Sequence, residues 1–193
     1  MKNFKKQLVI ATVASVLIPL VAKAAESTAE PQILGLAEGH LQLPVYGGWK
    51  KVKPRSRIVQ YEFSIPSIGD DEMPGRMTIM AASGGLEANI ARWVGQFRSG
   101  EGNPLGKDAK RVEKKKIGGL EVHLVDLAGD YQDKPGGPFG PSVNRPNYRM
   151  LAAIVPTEGR GTWFIKLYGP QKTISAAKKH FDEMLDGIVW KAE

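Results

Sequence analysis

Short segments of alternating apolar and polar residues, joined by glycine-rich turns, constrain the fold of this chain more than any other feature. Residues 120–128 alternate in this way, and only Gly118 and Gly119 separate them from a second predicted strand over residues 111–117. A two-residue glycine turn between two such strands is a strong signal for a β-hairpin. Strands joined this tightly run antiparallel, because a parallel connection needs about a dozen residues or more.

The remaining periodic segments predict four more strands and two helices. The predicted strands span residues 58–65, 76–82, 148–155 and 162–168, and the apolar residues of 58–65 stand at every second position. Apolar residues recur at every third or fourth position over 86–97 and after Pro170, which predicts the helices. The predicted order is β-β-α-β-β-β-β-α. It describes an α+β domain with a mainly antiparallel sheet of about six strands, flanked by two helices.

The start of the chain has the pattern of a secretory signal peptide. Three lysines within the first six residues precede an almost unbroken apolar stretch over 7–21. Ala22 and Ala24 then stand three positions and one position before Ala25, as signal peptidase requires. The apolar stretch is shorter than the roughly 20 residues of a membrane-spanning helix. We therefore expect residues 1–24 to be removed on export.

The mature chain that remains after cleavage has two predicted parts, a flexible leader and a domain. Residues 25–40 are small and polar with little periodicity, so we expect a flexible leader. Residues 41–193 form the single predicted α+β domain. The expected location is periplasmic or extracellular, with no stable membrane insertion after cleavage.

Composition excludes several classes of function. The chain has no cysteine, which rules out disulfides, thiolate nucleophiles and cysteine metal sites. The net charge of +7 includes four lysines of the predicted signal peptide, so the mature chain would carry only +3. This modest charge, together with export, argues against nucleic acid as a partner.

Two motifs add a family resemblance. One is NIARWVGQF over residues 89–97 of the first predicted helix, and the other is WFIKLYGP over residues 163–170, which runs from the last strand into the last helix. These motifs resemble those of an uncharacterised family of exported bacterial proteins. The element order and the exported leader resemble the PsbP-like α/β/α sandwich, also found in Mog and DcrB-type proteins. The resemblance covers most of residues 41–190.

The resemblance implies a function only through its fold. Proteins with this fold are mostly accessory or binding proteins, so we expect an exported non-enzymatic protein without a cofactor. Its partner would be an envelope protein or ligand. Two alternatives stay open: an enzyme whose site is assembled from dispersed residues, and a binder of anionic surfaces that uses the basic segment 107–116.

The first predicted helix carries a candidate recognition strip of Asn89, Arg92, Trp93 and Gln96. The spacing places these amide, guanidinium and indole groups along one border of the apolar face. The alternative, which we favour, is that Trp93 packs in the core while the amides bond neighbouring backbone.

A second candidate binding element is a glycine- and proline-rich loop over 130–147. Phe139 and Arg145 are its candidate contact residues, because long loops on a rigid sheet often carry binding side chains. A mobile loop without a role is the alternative. The basic segment 107–116 has an alternative role too, since lysines often keep an edge strand soluble.

No metal site is predicted. The three histidines, His40, His123 and His180, lie in separate segments without a metal-binding spacing. The acidic segment 70–72 lacks the spacing of an EF-hand loop, so we expect a solvated turn there.

Overall fold

The computed structural model describes residues 30–46, 48–137 and 140–192. The predicted signal peptide over 1–24 lies outside the described residues, and so does Phe139. The described chain contains eleven strands and two α-helices. The α+β class is therefore confirmed, and the number of strands is larger than the predicted six.

The elements follow the predicted alternation of strands and helices, with additional short strands. The strands are β1 (Gln32–Leu36), β2 (Leu41–Val45), β3 (Lys50–Val52), β4 (Tyr61–Ile65), β5 (Gly75–Ala82), β6 (Phe97–Arg98), β7 (Lys110–Ile117), β8 (Leu120–Asp133), β9 (Val143–Pro156), β10 (Thr162–Pro170) and β11 (Val189–Trp190). The helices are α1 (Leu86–Val94) and α2 (Gln171–Asp186).

Eight strands form one antiparallel sheet in the order β3-β4-β5-β10-β9-β8-β6, with β7 paired to the first half of β8. The predicted hairpin is confirmed: Ile117 on β7 pairs with Leu120 on β8 across the two glycines. Gly118 has a φ of +57°, and a side chain there would meet the backbone oxygen of Ile188 at 2.4 Å. Only glycine satisfies both conditions at this turn.

A smaller sheet in the order β1-β2-β11 corrects the predicted flexible leader over 25–40. Residues 32–36 pair antiparallel with β2, and Leu34 and Leu36 are buried. The prediction was wrong here because β1 is short and has only these two buried positions, too few to show a period. Residues 25–29 lie outside the described part of the chain.

The predicted long loop over 130–147 is also shorter than expected. β8 continues to Asp133 and β9 begins at Val143, so the connection is limited to 134–142. The register shifts between Gly129 and Tyr131, which marks a β-bulge. The bulge accommodates Pro146 within β9, whereas Gly136, Gly137 and Gly140 lie in the remaining connection.

Each helix covers one face of the large sheet. α2 packs on one face through its predicted apolar stripe, which is buried throughout: Ile174, Ala177, Phe181, Met184, Leu185 and the following Ile188. α1 packs on the other face through Ile90 and Trp93. It ends at Val94 instead of the predicted 97, because Phe97 pairs with Tyr131 as part of β6.

The acidic turn before β5 differs from the predicted solvated turn, because it holds the start of α2. The Asp71 carboxylate accepts hydrogen bonds from the backbone N–H of Thr173, at 2.9 Å, and from its hydroxyl, at 2.7 Å. The Thr173 hydroxyl oxygen also accepts the backbone N–H of Ile68 at 3.1 Å. A carboxylate at this place satisfies a free helix N–H group and interacts favourably with the helix dipole.

Candidate functional site

Three basic side chains come together on the α1 side of the large sheet. Lys166 lies near the middle of β10, directly opposite Thr78 on β5. Arg76 is two positions from Thr78, so the pleat turns both toward the same face of the sheet. Arg92 approaches from α1 and acts electrostatically on Lys166. We call Arg76, Arg92 and Lys166 the basic recess.

Arg76 is fixed by a buried carboxylate on the neighbouring strand. Its Nε and Nη2 donate to the two oxygens of Glu62 at 2.8 and 2.9 Å, and Glu62 is only 1% exposed. Burial by itself would raise the pKa of Glu62, but hydrogen bonds from Arg76 and from the backbone of Arg55 outweigh it and lower that pKa. Arg76 also donates to the Tyr168 hydroxyl. This guanidinium is therefore both positioned and neutralised.

Lys166 has a different environment. Its side chain is half-buried, and its Nζ lies 4.6 Å from the centre of the Tyr168 ring. Within the described part of the chain, it forms no ion pair. Burial, reinforced by repulsion from Arg76 and Arg92, lowers the pKa of Lys166 to about 8, while Asp133 opposes the shift weakly. The recess thus holds a cation that the fold does not neutralise.

Arg92 is the exposed member of the basic recess. It lies in the last turn of α1, and its guanidinium donates to the side-chain oxygen of Asn89 one turn earlier. Among the described residues, it has no carboxylate partner. Arg92 therefore adds a second uncompensated positive charge beside Lys166.

A tyrosine cluster borders the basic recess. The ring centres of Tyr131 and Tyr168 are 5.5 Å apart, and Tyr131 stacks on Tyr148 at 5.9 Å. Burial raises the pKa of each of the three phenols, so all three stay protonated near neutral pH. The predicted contact residue Arg145 lies at this end, with its Nε 3.4 Å from the Asp133 carboxylate.

The predicted recognition strip on α1 divides into buried and exposed members. Trp93 is 3% exposed and meets the Phe164 ring edge-to-face at 5.8 Å. Asn89 is 2% exposed and donates to the backbone oxygen of Gly85 at 3.0 Å. Trp93 thus packs in the core and the Asn89 amide bonds neighbouring backbone, as the alternative to the recognition strip described. The binding role of the strip stays a prediction.

Gln96 is half-buried at the end of α1, and its side-chain oxygen is buried without a hydrogen-bond partner in the described part of the chain. Its backbone oxygen accepts the N–H of Gln132 at 2.7 Å and so ties the turn after α1 to β8. The role of Phe139, outside the described residues, also stays a prediction.

The basic segment 107–116 consists of one turn of 3-10 helix over Lys107–Ala109 and most of the exposed edge strand β7. Several of its charges are already paired. Arg111 lies 2.7 Å from Glu113, Lys114 lies 2.8 Å from Glu121, and Lys115 lies 2.7 Å from Asp186. Paired charges on an exposed edge are typical of strands that resist aggregation. They leave less net positive charge for an anionic surface.

A cleft of about 590 Å³ lies between the small sheet and the β9–β10 turn. Its lining includes Ala37 and Glu38, whose positive φ values of 49° and 58° are uncommon for residues other than glycine. Glu38 forms an ion pair of 2.5 Å with Arg160, so the main charges of the cleft offset each other. The cleft is a weaker candidate for a charged ligand than the basic recess.

Other kinds of site find no support in the described residues. No group of three or more histidine and acidic side chains in this part of the chain is arranged to hold a metal ion. The Nδ1–H of His40 donates to the backbone oxygen of Lys191 at 2.9 Å, whereas Nε2 of His123 lies 3.5 Å from Glu121. Across the described ranges, no helix combines the length and apolar character that crossing a bilayer requires.

Of the residues that form the basic recess, only Arg92 was predicted from the sequence, and Glu62, which holds Arg76 in place, was not predicted. Alternation placed Glu62 on a polar, solvent-facing side of its strand, but neighbouring residues cover that side. One signal was present: Lys166 interrupts an otherwise apolar strand, between Phe164 and Tyr168. A single charge inside a buried strand indicates a polar site on the sheet face.

Comparison with known proteins concerns the fold alone. No family model matches the chain, and no curated protein matches it. Among solved structures it is similar to the cyanobacterial PsbP (CyanoP) of Synechocystis sp. PCC 6803, with 14% identity, a TM-score of 0.49, and 90% of this chain and 99% of that one covered.

Two further structures are similar at comparable levels. The protein PA94 of Pseudomonas aeruginosa, of unknown function and described as a putative regulator, has 11% identity and a TM-score of 0.45, with 86% of this chain and 100% of that one covered. LpqN of Mycobacterium tuberculosis, involved in cell envelope biogenesis, has 11% identity and a TM-score of 0.44, with 79% and 83% covered. Likeness at this level gives no ligand or partner for this chain.

Proposed function

We propose that this chain is an exported, non-enzymatic binding protein that holds the anionic group of a small ligand in the basic recess. The observation that supports the proposal is the position of Lys166. It lies half-buried beside two guanidinium groups and without a carboxylate partner in the described part of the chain. A carboxylate, phosphate or sulfate group would supply the missing negative charge.

The charges in the recess favour an anion because only one of the three cations is compensated. Glu62 neutralises Arg76, whereas Lys166 and Arg92 repel each other and have no carboxylate partner among the described residues. Like charges in a partly desolvated place repel, so a bound anion removes repulsion and adds attraction. Arg76 remains able to orient the ligand because its hydrogen bonds to Glu62 fix the position of its guanidinium group.

The structure offers two other places for a charged ligand, and both are less suited. In the basic segment 107–116, Arg111, Lys114 and Lys115 are ion-paired on an open strand. In the cleft beside the small sheet, Glu38 and Arg160 offset each other. The basic recess combines uncompensated charge with partial burial, which strengthens electrostatic interactions.

The proposal is tested by calorimetric titration of the protein, which is expressed from the full sequence including residues 1–24. The probes are oxalate and sulfate at constant ionic strength. We expect saturable binding, weakened at least about tenfold by Lys166→Gln, since losing a hydrogen bond to a charged group costs about 1.5–3 kcal/mol. Lys116→Gln, which removes a lysine from the exposed strand β7, is the matched control and should leave the affinity unchanged.

Two outcomes would contradict the proposal. The first is that neither probe binds. The second is that both lysine variants lose affinity equally, which would indicate a general effect of charge and not a specific site. Thermal melts of each variant check that the fold is intact before affinities are compared.

A further inference from the structure

We propose that the cleft beside the small sheet is a second binding site and that its ligand is an uncharged sugar. The cleft lies between the turn at Ala37–Gly39, which links β1 to β2, and the turn at 157–161, which links β9 to β10. Its described lining contains no residue of the basic recess. The inference therefore goes beyond the proposed function, and either of the two can fail without the other.

The observation that points to a ligand is the indole N–H of Trp163. This residue lines the cleft and is only 6% exposed, and its Nε1 is buried without a hydrogen-bond partner in the described part of the chain. A buried tryptophan N–H is usually hydrogen-bonded, because leaving the bond unmade costs free energy. Trp163 also belongs to the main apolar core, whose side chains accept no hydrogen bond. The cleft is thus the place from which a ligand oxygen can reach this N–H.

The walls of the cleft are fixed by contacts within the fold. The Thr157 hydroxyl donates to the backbone oxygen of Gly161 at 2.7 Å and closes the β9–β10 turn. Arg160 in that turn is ion-paired at 2.5 Å with Glu38, which lies on the opposite wall. Glu38 and its neighbour Ala37 have positive φ values, a strained conformation that is common at ligand sites. A site that is already held in shape loses little entropy on binding.

The size and the charge of the cleft favour a small neutral ligand. Its volume of about 590 Å³ falls within the roughly 300–1,000 Å³ of ordinary ligand pockets. Glu38 and Arg160 are the charged residues of the described lining, and their charges cancel. A charged ligand would be attracted by one member of this ion pair and repelled by the other, so it gains little net attraction.

The polar groups of the lining match the hydroxyl groups of a sugar. Trp163 and Arg160 carry N–H donors, and Glu38 carries carboxylate acceptors. The amide of Gln60, an exposed residue of the lining, provides both kinds of group. A hydroxyl group donates and accepts hydrogen bonds, so neighbouring hydroxyls of one sugar ring can bond to donors and acceptors alike. An apolar ligand would leave these groups unpaired.

Nuclear magnetic resonance of the ¹⁵N-labelled protein tests this inference. The chain has four tryptophans, so the indole N–H groups give four signals, which are assigned through the backbone resonances. The probes are glucose, N-acetylglucosamine, maltose and cellobiose at constant ionic strength. We expect at least one of them to shift the Trp163 signal saturably. The signal of Trp93, which packs on the other face of the large sheet, should stay unchanged.

Two variants measure the contribution of the lining, with affinities taken from calorimetric titration of the sugar that shifts the signal. Gln60→Ala changes an exposed side chain and should weaken binding about two- to tenfold, the effect of one lost hydrogen bond. Trp163→Phe keeps an aromatic ring without the N–H and should weaken binding to a similar extent. Gln171→Ala removes an exposed glutamine of α2, outside the described lining, and is the matched control.

Three results would overturn the inference. The first is that none of the four sugars shifts the Trp163 signal. The second is that all indole signals shift alike, which indicates a general effect of sugar on the solvent. The third is an equal loss of affinity in Gln60→Ala and Gln171→Ala.

Lys166→Gln distinguishes the cleft from the basic recess. It should weaken the binding of oxalate and leave the binding of the sugar unchanged. Loss of sugar binding in this variant would place the sugar in the basic recess and would also overturn the inference. Loss of oxalate binding alone supports both sites.

Discussion

A lysine beside two arginines places a cost on the folded state that the fold itself does not offset. Arg76 and Arg92 repel the Lys166 ammonium, and burial removes part of its water shell. Sites of this kind are common where a protein binds a ligand, because the ligand supplies the compensating charge. At the scale of single residues, Lys166 is thus the position where the stability of the fold and the proposed binding of an anion oppose each other.

This opposition predicts a pH-dependent stability. The pKa of Lys166 is about 8 in the folded chain and near 10.5 when unfolded, so the unfolded chain binds more protons between these values. Stability therefore rises with pH across this range. Methionine at position 166 carries no titrating amine, so Lys166→Met lacks the cost of a buried ammonium. We expect this variant to be more stable than the wild type at pH 7, and we expect the difference in stability to shrink toward pH 10.

Urea melts at pH 7, 8, 9 and 10 measure this difference in the free energy of unfolding. The charged and titratable groups around the amine are present in both proteins, so their own titration largely cancels in the difference between wild type and variant. These groups are Arg76, Arg92, Asp133 and Tyr168. A difference that does not change with pH would refute the prediction. Lys116→Met, on exposed β7, controls for the loss of a lysine as such.

At the scale of elements, the start of α2 depends on a residue about a hundred positions earlier. The residue before α2 is Pro170, whose side chain forms no capping hydrogen bond, and the Asp71 carboxylate from the turn before β5 performs this task. The cap therefore also joins the helix to the turn between β4 and β5. One carboxylate serves both a local and a long-range contact.

Asp71→Ala should lower the free energy of unfolding by about 1–2 kcal/mol, the usual cost of removing a helix cap. Asp71→Asn keeps an acceptor oxygen and should cost less. Asp70→Ala removes the exposed ion pair with Lys172 and is the neighbouring control, with a smaller effect than Asp71→Ala. Denaturant melts of the three variants measure these differences. Equal losses for Asp70 and Asp71 would contradict the capping role.

The elements that the sequence predicted well are those whose signal is local. The hairpin at Gly118 and Gly119 and the apolar stripe of α2 follow from turn chemistry and periodicity, which neighbouring residues determine. β1 has too few buried positions, and the bulged ends of β8 and β9 contain the residues typical of loops. The basic recess could not be predicted from the sequence because its residues come from distant segments. The strand order of the folded sheet brings together β4, β5, β10 and α1.

At the scale of the whole molecule, the small sheet joins the two ends of the described chain. β2 pairs with β1 on one side and with β11 on the other, and the N–H of Lys191 donates to the oxygen of His40 at 2.8 Å. Ile188, just before β11, is 3% exposed in the main core. The last residues are therefore part of the core that α2 covers.

Removing residues 188–193 should lower the free energy of unfolding by about 3 kcal/mol or more, because it deletes the buried Ile188 as well as β11. Removing only residues 192–193 leaves both in place and is the matched control. Thermal and urea melts compare the two truncations. If both shortened chains are as stable as the full one, the small sheet contributes little.

The pairing of β2 with β11 also sets the order of events when the chain is made. Residue 42 cannot meet its partner, residue 189, until almost every amino acid has been added. Contacts between such distant positions form late and slowly, because a long loop must close first. While the chain is being made, one edge of β2 therefore stays unpaired, and the small sheet is completed only after the last residues have been added.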